Sequence, residues 1–214
     1  HDLTRVLERG VGSAAAEIKM LLERNEEEHQ LDIYLEKRDK IYANFKIDGV
    51  KKKRKEAQGF MRVVIFEPTD VDIFTKTPES RRKYLNMVLS QKSLPYLEDL
   101  SNYKRILSQK NRLLTDIKLG NASADDVEPW NSQLVEVGTR IIMERKRFIN
   151  FLNQNISEVY TAISKFHRTV EVVYESIAGD TEIEIAESFM QRLEELKDKE
   201  RIVGTCMVGP HRDD

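Results

Sequence analysis

The stretch from Trp130 to Phe166 places the tightest limit on what this chain can become. No proline interrupts it. Leu134, Val137, Ile141, Phe148, Phe151, Leu152, Val159, Ile163 and Phe166 keep one apolar stripe close to a 3–4 stagger. At a rise of ~1.5 Å per residue such a helix runs roughly 50 Å. Alone it would leave its stripe in water, so it must pack on an element of similar length. Pro95–Leu119 is that element. Leu97, Leu100, Tyr103, Leu107, Leu114 and Ile117 recur there at helical spacing. Gly120 closes the helix, and a polar loop runs on to Pro129. The pattern predicts an antiparallel helical pair, either a coiled-coil-like arm or a small bundle. A shorter helix precedes it: Thr77 caps, Pro78 fits the first turn, and Tyr84, Leu85, Val88 and Leu89 follow.

Residues 12–66 carry a different period. Leu31–Leu35 and Ile41–Ile47 alternate apolar and polar, as half-buried strands do, and charged Glu36–Lys40 between them predicts a hairpin. Ala16–Leu22 fits a strand or a helix. Asp48-Gly49 is a turn signal. Met61–Phe66 is a β-branched run expected as a strand buried on both faces. After the helical pair, Thr169–Glu175 alternates again with Val170, Val172 and Tyr174 on one side. Thr181–Glu184 is a capping box opening another amphipathic helix, and Arg201–Val208 is a final strand candidate. The fold class is therefore α+β, in three parts. Residues 1–76 form a β-rich lobe, 77–167 an inserted antiparallel helical lobe, and 168–214 a returning strand–helix–strand segment. Such an insertion into a sheet-based domain has the organisation of an ABC-type ATPase head.

Composition narrows the function. Charged residues make up 34% of the 214, which suits long exposed helices. The net charge is −2, so nucleic-acid binding would have to come from local basic patches. Cys206 is the one cysteine and can form neither an internal disulfide nor a cysteine zinc site; this fits a reducing, cytoplasmic setting. It lies in an apolar run and reads as a small core residue. No apolar run reaches the ~20 residues that span a bilayer. GxxxxGK[ST], GxGxxG and GxSxG are all missing, and His1, His29, His167 and His211 show no metal-ligand spacing. No catalytic residue and no metal site are expected within these residues.

Three clusters remain as site candidates. Lys51, Lys52, Lys53, Arg54 and Lys55 follow the Asp48-Gly49 turn, either as a phosphate-contacting loop or as a solvated hairpin tip. Arg81, Arg82 and Lys83 fall in the first turns of a helix, where cations oppose the macrodipole, so a partner anion or a buried ion pair is expected. Gly209–Asp214 is the densest polar motif. It reads as a surface turn, or as an interface loop offering His211, Arg212 and Asp213. Arg145-Lys146-Arg147 reads as the solvated face of the long helix, and Met87, Met143 and Met190 read as core.

Three ordered segments bring in a family. Val64–Val71 with Thr77–Asn86 resembles the RecF pattern of a strand, FxPEDL, and a GxPxxRRRFLD helix start. Tyr103–Leu114 is similar to its YxxxLxQRNxLL stretch, and Val208–Asp214 matches its GPHRDD. Thr69, Thr77, Lys83, Asn86 and Lys110 depart from the usual Glu, Gly, Arg, Asp and Arg. The resemblance implies an ABC-class ATPase that binds DNA, forms an ATP-dependent homodimer and works with RecO and RecR in recombinase loading. It implies ATP and Mg as cofactors of the intact protein, with Walker A preceding His1 and the signature and Walker B following Asp214. The chain by itself is then expected to hold no cofactor and to lack ATPase activity. The alternative from another class is a helical-arm docking module whose surface is the Leu134–Phe166 stripe.

Overall fold

The computed structural model describes residues 15–24, 26–64 and 72–214. The chain divides into two compact units at Val64/Ile65. The first is a four-stranded antiparallel sheet in sequential order, β1 (Ala15–Arg24), β2 (Glu27–Lys37), β3 (Ile41–Ile47) and β4 (Val50–Lys52), followed by α1 (Arg54–Phe60). The register explains the alternation. Met20 lies opposite Leu31, and Leu31 opposite Ile47; Ile33 lies opposite Phe45 and Leu35 opposite Ala43. These residues share one face, which Ala57 and Phe60 of α1 help to cover. Ala16–Leu22 is thus strand. The Asp48-Gly49 turn joins Ile47 to Val50 with φ of 52° and 77°, the pair of positive values that a type I′ hairpin needs.

The second unit is helical: α2 (Pro78–Lys92), α3 (Leu94–Lys118), α4 (Glu128–Ser164) and α5 (Glu182–Val203). The Thr77 hydroxyl accepts from the Ser80 amide, and the Ser93 hydroxyl caps α3 in the same way. The capping box at Thr181 is complete, with Glu184 accepting from the Thr181 amide. At 37 residues α4 is roughly 55 Å long. It runs antiparallel to α3: Arg140 reaches Asp99, and Arg145 reaches Tyr96. Leu134, Ile141, Ile142, Leu114, Tyr103, Phe189 and Leu193 form the centre of one core shared by α3, α4 and α5. No helix among the described residues is long and apolar enough to cross a membrane.

Several expectations are corrected. Only the first half of the α4 stripe is covered; Phe151, Val159, Ile163 and Phe166 are exposed, Ile163 by 78%. Met87 is also exposed. Met61–Val64 is irregular rather than strand, with Val64 98% exposed, and Ile65-Phe66 lie outside the described residues. Arg201–Val208 is not a strand either. Helix α5 continues through Val203 and ends at Gly204.

Thr169–Glu175 is extended but belongs to no ladder. Its alternation is real, with Val170, Val172 and Tyr174 partly buried between exposed neighbours. Side chains of α4 take the place of a partner strand. Asn153 bonds both the amide and the carbonyl of Val172, and Ser157 does the same for Val170. A segment with period 2 can therefore be satisfied by a helix that offers Asn and Ser one turn apart.

Candidate functional site

The polar motif at 209–214 is neither a free loop nor an isolated surface turn. It is drawn into the helical unit. Gly209 has φ of 124°, and a Cβ there would lie 2.3 Å from the Tyr103 hydroxyl and 2.7 Å from the Phe189 ring. Only glycine lets the turn approach α3 and α5 that closely. Past it, the Arg145 guanidinium donates to the Pro210 carbonyl at 2.8 Å and lies 3.4 Å from the Asp213 carboxylate. Arg145 is therefore buried, at 2% side-chain exposure, and not on a solvated face. Its other donors reach the Asn86 amide oxygen at 2.9 Å, the Tyr96 hydroxyl at 3.2 Å and the Tyr174 hydroxyl at 3.2 Å. Tyr174 also donates to Asp213.

The electrostatics follow from that packing. Burial pushes the Asp213 carboxyl up; Tyr174, Arg145 and Arg82 pull it back only in part. Burial opposes the Arg145 charge too, but the Tyr174 and Tyr96 oxygens outweigh it, and the guanidinium stays above its ordinary pKa. Tyr174 is pushed up by burial. Asp214 goes the other way, since its hydrogen bond from Arg81 holds it below the usual carboxylate range.

The first turn of α2 supplies the second half of the site. Arg81 forms a two-pronged pair with the Asp214 carboxylate and also donates to the Lys76 carbonyl at 2.6 Å. Arg82 donates to the Asp213 carbonyl. The backbones of Asp214 and Glu175 exchange two hydrogen bonds. The anion expected beside Arg81 and Arg82 is thus internal. Lys83 is exposed and stands apart from this network.

His211 is half-buried. Its Nε2 lies 3.2 Å from the Cys206 carbonyl and must donate to it; Nδ1 then accepts from the Tyr103 hydroxyl at 2.7 Å. Burial, with Arg212 and Arg82 nearby, lowers its pKa to about 4. Arg212 is exposed and donates to the same carbonyl at 3.1 Å. Beneath them lies a second buried pair, Lys110 and Glu200 at 2.7 Å, with 0% and 2% side-chain exposure. Burial raises the Cys206 thiol to about 11, so it is a protonated core group. No three metal-ligating side chains converge among the described residues. A shallow cleft of about 580 Å³ borders the motif, lined among others by Gln191, Arg192, Met207 and Arg212. The arrangement ties α2, α3, α4 and the final turn together.

In the first unit, Lys51–Lys55 is not one loop. Lys51 and Lys52 lie on β4, Lys53 caps α1, and Arg54 and Lys55 are its first residues. Lys51 shares the solvent face of the sheet with its cross-strand partner Lys46, whereas Lys52 lies opposite Phe45 and reaches Glu56 at 3.8 Å.

The chain matches no protein-family model. It is 33% identical over 203 residues to the DNA replication and repair protein RecF of Lachnoclostridium phytofermentans, covering 94% of this chain and 54% of that protein. The RecF of Agathobacter rectalis is 34% identical over 205 residues, 95% of this chain and 54% of that protein. The fold matches a recombination mediator protein RecF of the RecFOR pathway in its RecF-ATPrS form. There the TM-score is 0.87 at 29% identity, over 95% of this chain and 55% of that one. The RecF-ATP form matches with a TM-score of 0.86 at 28% identity over the same shares. Sequence and fold both match RecF proteins over 94–95% of this chain. The chain spans about half the length of the RecF relatives it matches, and its α+β architecture is that of the corresponding part of an ABC-ATPase-like RecF.

Sequence reasoning missed Arg145, Lys110, Asn86 and Tyr174 as members of the site. Register was the available signal. Arg145 falls between Ile141 and Phe148 on the apolar stripe of α4, and Lys110 falls between Leu107 and Leu114 on that of α3.

Two outcomes follow. Arg145→Met should destabilise the unit by roughly 3–5 kcal/mol in chemical denaturation, since Asp213 is left buried without its cation; Arg145→Met with Asp213→Leu should recover part of that loss. For His211 the folded pKa lies below the unfolded one, so the unfolded chain binds more protons between about pH 4 and 6.5. Its contribution is complete above pH 6.5 and is lost toward pH 4, on the order of 2–3 kcal/mol. His211→Gln should flatten this part of the stability–pH curve; an unchanged slope would reject the assignment.

Proposed function

We propose that this chain is the sheet-and-helical-lobe portion of a RecF-type DNA replication and repair protein, which in its intact form binds DNA and ATP and acts with RecO- and RecR-type mediators. The carrying observation is that sequence and fold agree with RecF over about 95% of the chain. In this reading the phosphate cradle and the magnesium carboxylate belong to the intact protein, and the helical unit is a rigid body that its ATP-dependent dimer uses. His211, Arg212 and Asp213 act there through the turn they build. Arg212 is their exposed member.

Within the first unit the reading assigns phosphate contacts to Lys51, Lys53, Arg54 and Lys55, which are exposed. Replacing these four by glutamate in the intact protein should weaken duplex DNA binding and reduce its salt dependence, with log K against log salt losing about 0.9 per lost phosphate contact. Binding isotherms at several salt concentrations check this. Undiminished binding with an unchanged slope rejects these residues.

A second reading draws on one observation. Phe151, Val159 and Ile163 leave the outer half of α4 apolar and exposed, with Phe166 just beyond its end, as a partner-docking arm requires. Docking by this arm predicts concentration-dependent association in sedimentation, abolished by Phe151→Ser with Ile163→Ser.

A further inference from the structure

Exposed cations are treated unevenly in the helical unit. On α4, Arg140 is held by Asp99 and Glu136, Lys146 by Asp180, and Arg147 by Glu144. On α5, Arg192, Lys197 and Arg201 are held by Glu195, Glu194 and Asp198. On α2, Arg81 and Arg82 bind Asp214 and the Asp213 carbonyl. Lys83 of α2 and Lys199 of α5 are exposed without an ion pair, and helix α3 gathers three such cations. Arg105 and Arg112 are exposed and, among the described residues, their side chains make neither an ion pair nor a hydrogen bond; the same holds for Lys104.

The composition of α3 explains why. From Leu100 to Thr115 it contains no carboxylate, although the whole chain holds 37. Asp116 lies one turn beyond Arg112 but does not pair with it. Arg105 and Arg112 are seven residues apart, so they lie on the same side of the helix, about 10 Å from one another along its axis. Ser101 and Ser108 are on that side as well, both exposed. A helix face made of arginine and small hydroxyls, with acids left out, holds cations whose attraction is not spent internally.

The adjoining turn adds another cation. The Asn111 side chain accepts from the Cys206 amide at 2.7 Å, and the Cys206 carbonyl accepts from Arg212. Arg212 therefore stands beside the turn of α3 that carries Asn111 and Arg112. Its carbonyl bond leaves the guanidinium charge uncompensated by any carboxylate.

We infer that the outward face of α3, with Arg105 and Arg112 at its centre and Lys104 and Arg212 at its flank, is a contact surface for the phosphate backbone of DNA. This rests on the proposed function. The observations favour a nucleic-acid backbone over an acidic protein segment. The face has no apolar residue between Arg105 and Arg112 to anchor a folded partner, and its hydroxyls and guanidinium forks match phosphate oxygens. It lies in the helical unit and is a separate site from the Lys51–Lys55 cluster.

The test uses the intact protein and a fluorescently labelled DNA duplex, with anisotropy titrations from low to moderate salt. Arg105→Gln with Arg112→Gln should weaken binding about 10-fold and lower the slope of log K against log salt by roughly two, one for each lost phosphate contact. Arg105→Lys with Arg112→Lys should retain the slope, because each charge stays. Arg147→Gln with Arg201→Gln, which removes two paired cations elsewhere, should change neither. Thermal melting checks that all three variants stay folded, as expected for side chains that contact nothing or only a surface partner. An unchanged slope in the double glutamine variant, with the native protein binding duplex normally, overturns this inference and leaves the RecF-type reading standing. So does lost binding of an acidic protein partner with DNA binding intact. Failure of the native protein to bind DNA at all overturns the proposed function itself.

Discussion

One guanidinium holds the helical unit in register. Arg145 projects from the middle of α4 into a space where α2, α3, the extended segment and the final turn meet, and it contributes a hydrogen bond to each of them. Taking this charge out of water carries a penalty of several kcal/mol that only a complete set of partners can offset. Asp213 supplies the countercharge; the neutral oxygens of Asn86, Tyr96, Tyr174 and Pro210 supply the rest. The arrangement tolerates little sliding. A displacement of any one of these segments leaves a buried donor without its acceptor, whereas a purely aliphatic seam between helices would accept several neighbouring registers.

The second buried pair extends this logic to α5. Lys110 meets Glu200, and the other oxygen of Glu200 accepts from the Met207 amide at 2.7 Å. Asn111, the next residue, takes the Cys206 amide. The chain leaving α5 is thus caught by two consecutive residues of α3 before it turns at Gly209 toward Arg145. Residues 204–214 form no regular structure of their own. They are held by side chains reaching from the packed helices.

This is why the elements were more legible than the site. Helix spans follow from caps and apolar period, and Thr77 and Thr181 each act where their spacing put them. The sheet register follows from alternation and from the Asp48-Gly49 turn. Thr169–Glu175 carries the same alternation yet pairs with Asn153 and Ser157, because period 2 reports which side is covered and not what covers it. Helix α1 escaped notice since Arg54–Phe60 is too short and polar to show a helical stripe. Arg145 was read through its charged neighbours Lys146 and Arg147 instead of through its place on the stripe. A charge in register with leucines and isoleucines is a stronger sign of a buried ion pair than a run of charges is of a wet face.

The same contacts account for how a relationship at about one-third identity stays visible in three short motifs. Each motif supplies members of the network around the two buried pairs: Arg82 and Asn86 from the first, Tyr103, Lys110 and Asn111 from the second, Pro210 through Asp213 from the third. The departures from the family pattern fall where the interaction allows them. Asn86 replaces a carboxylate but keeps the one oxygen that Arg145 and Tyr96 use. Lys110 replaces arginine but still delivers a cation to Glu200. Thr77 replaces glycine at a cap, where a hydroxyl does more than glycine can. Lys83 replaces arginine on an exposed turn outside the network. The apolar positions between the motifs need only size and period, whereas the polar ones must present donor, acceptor and charge in a space closed to water.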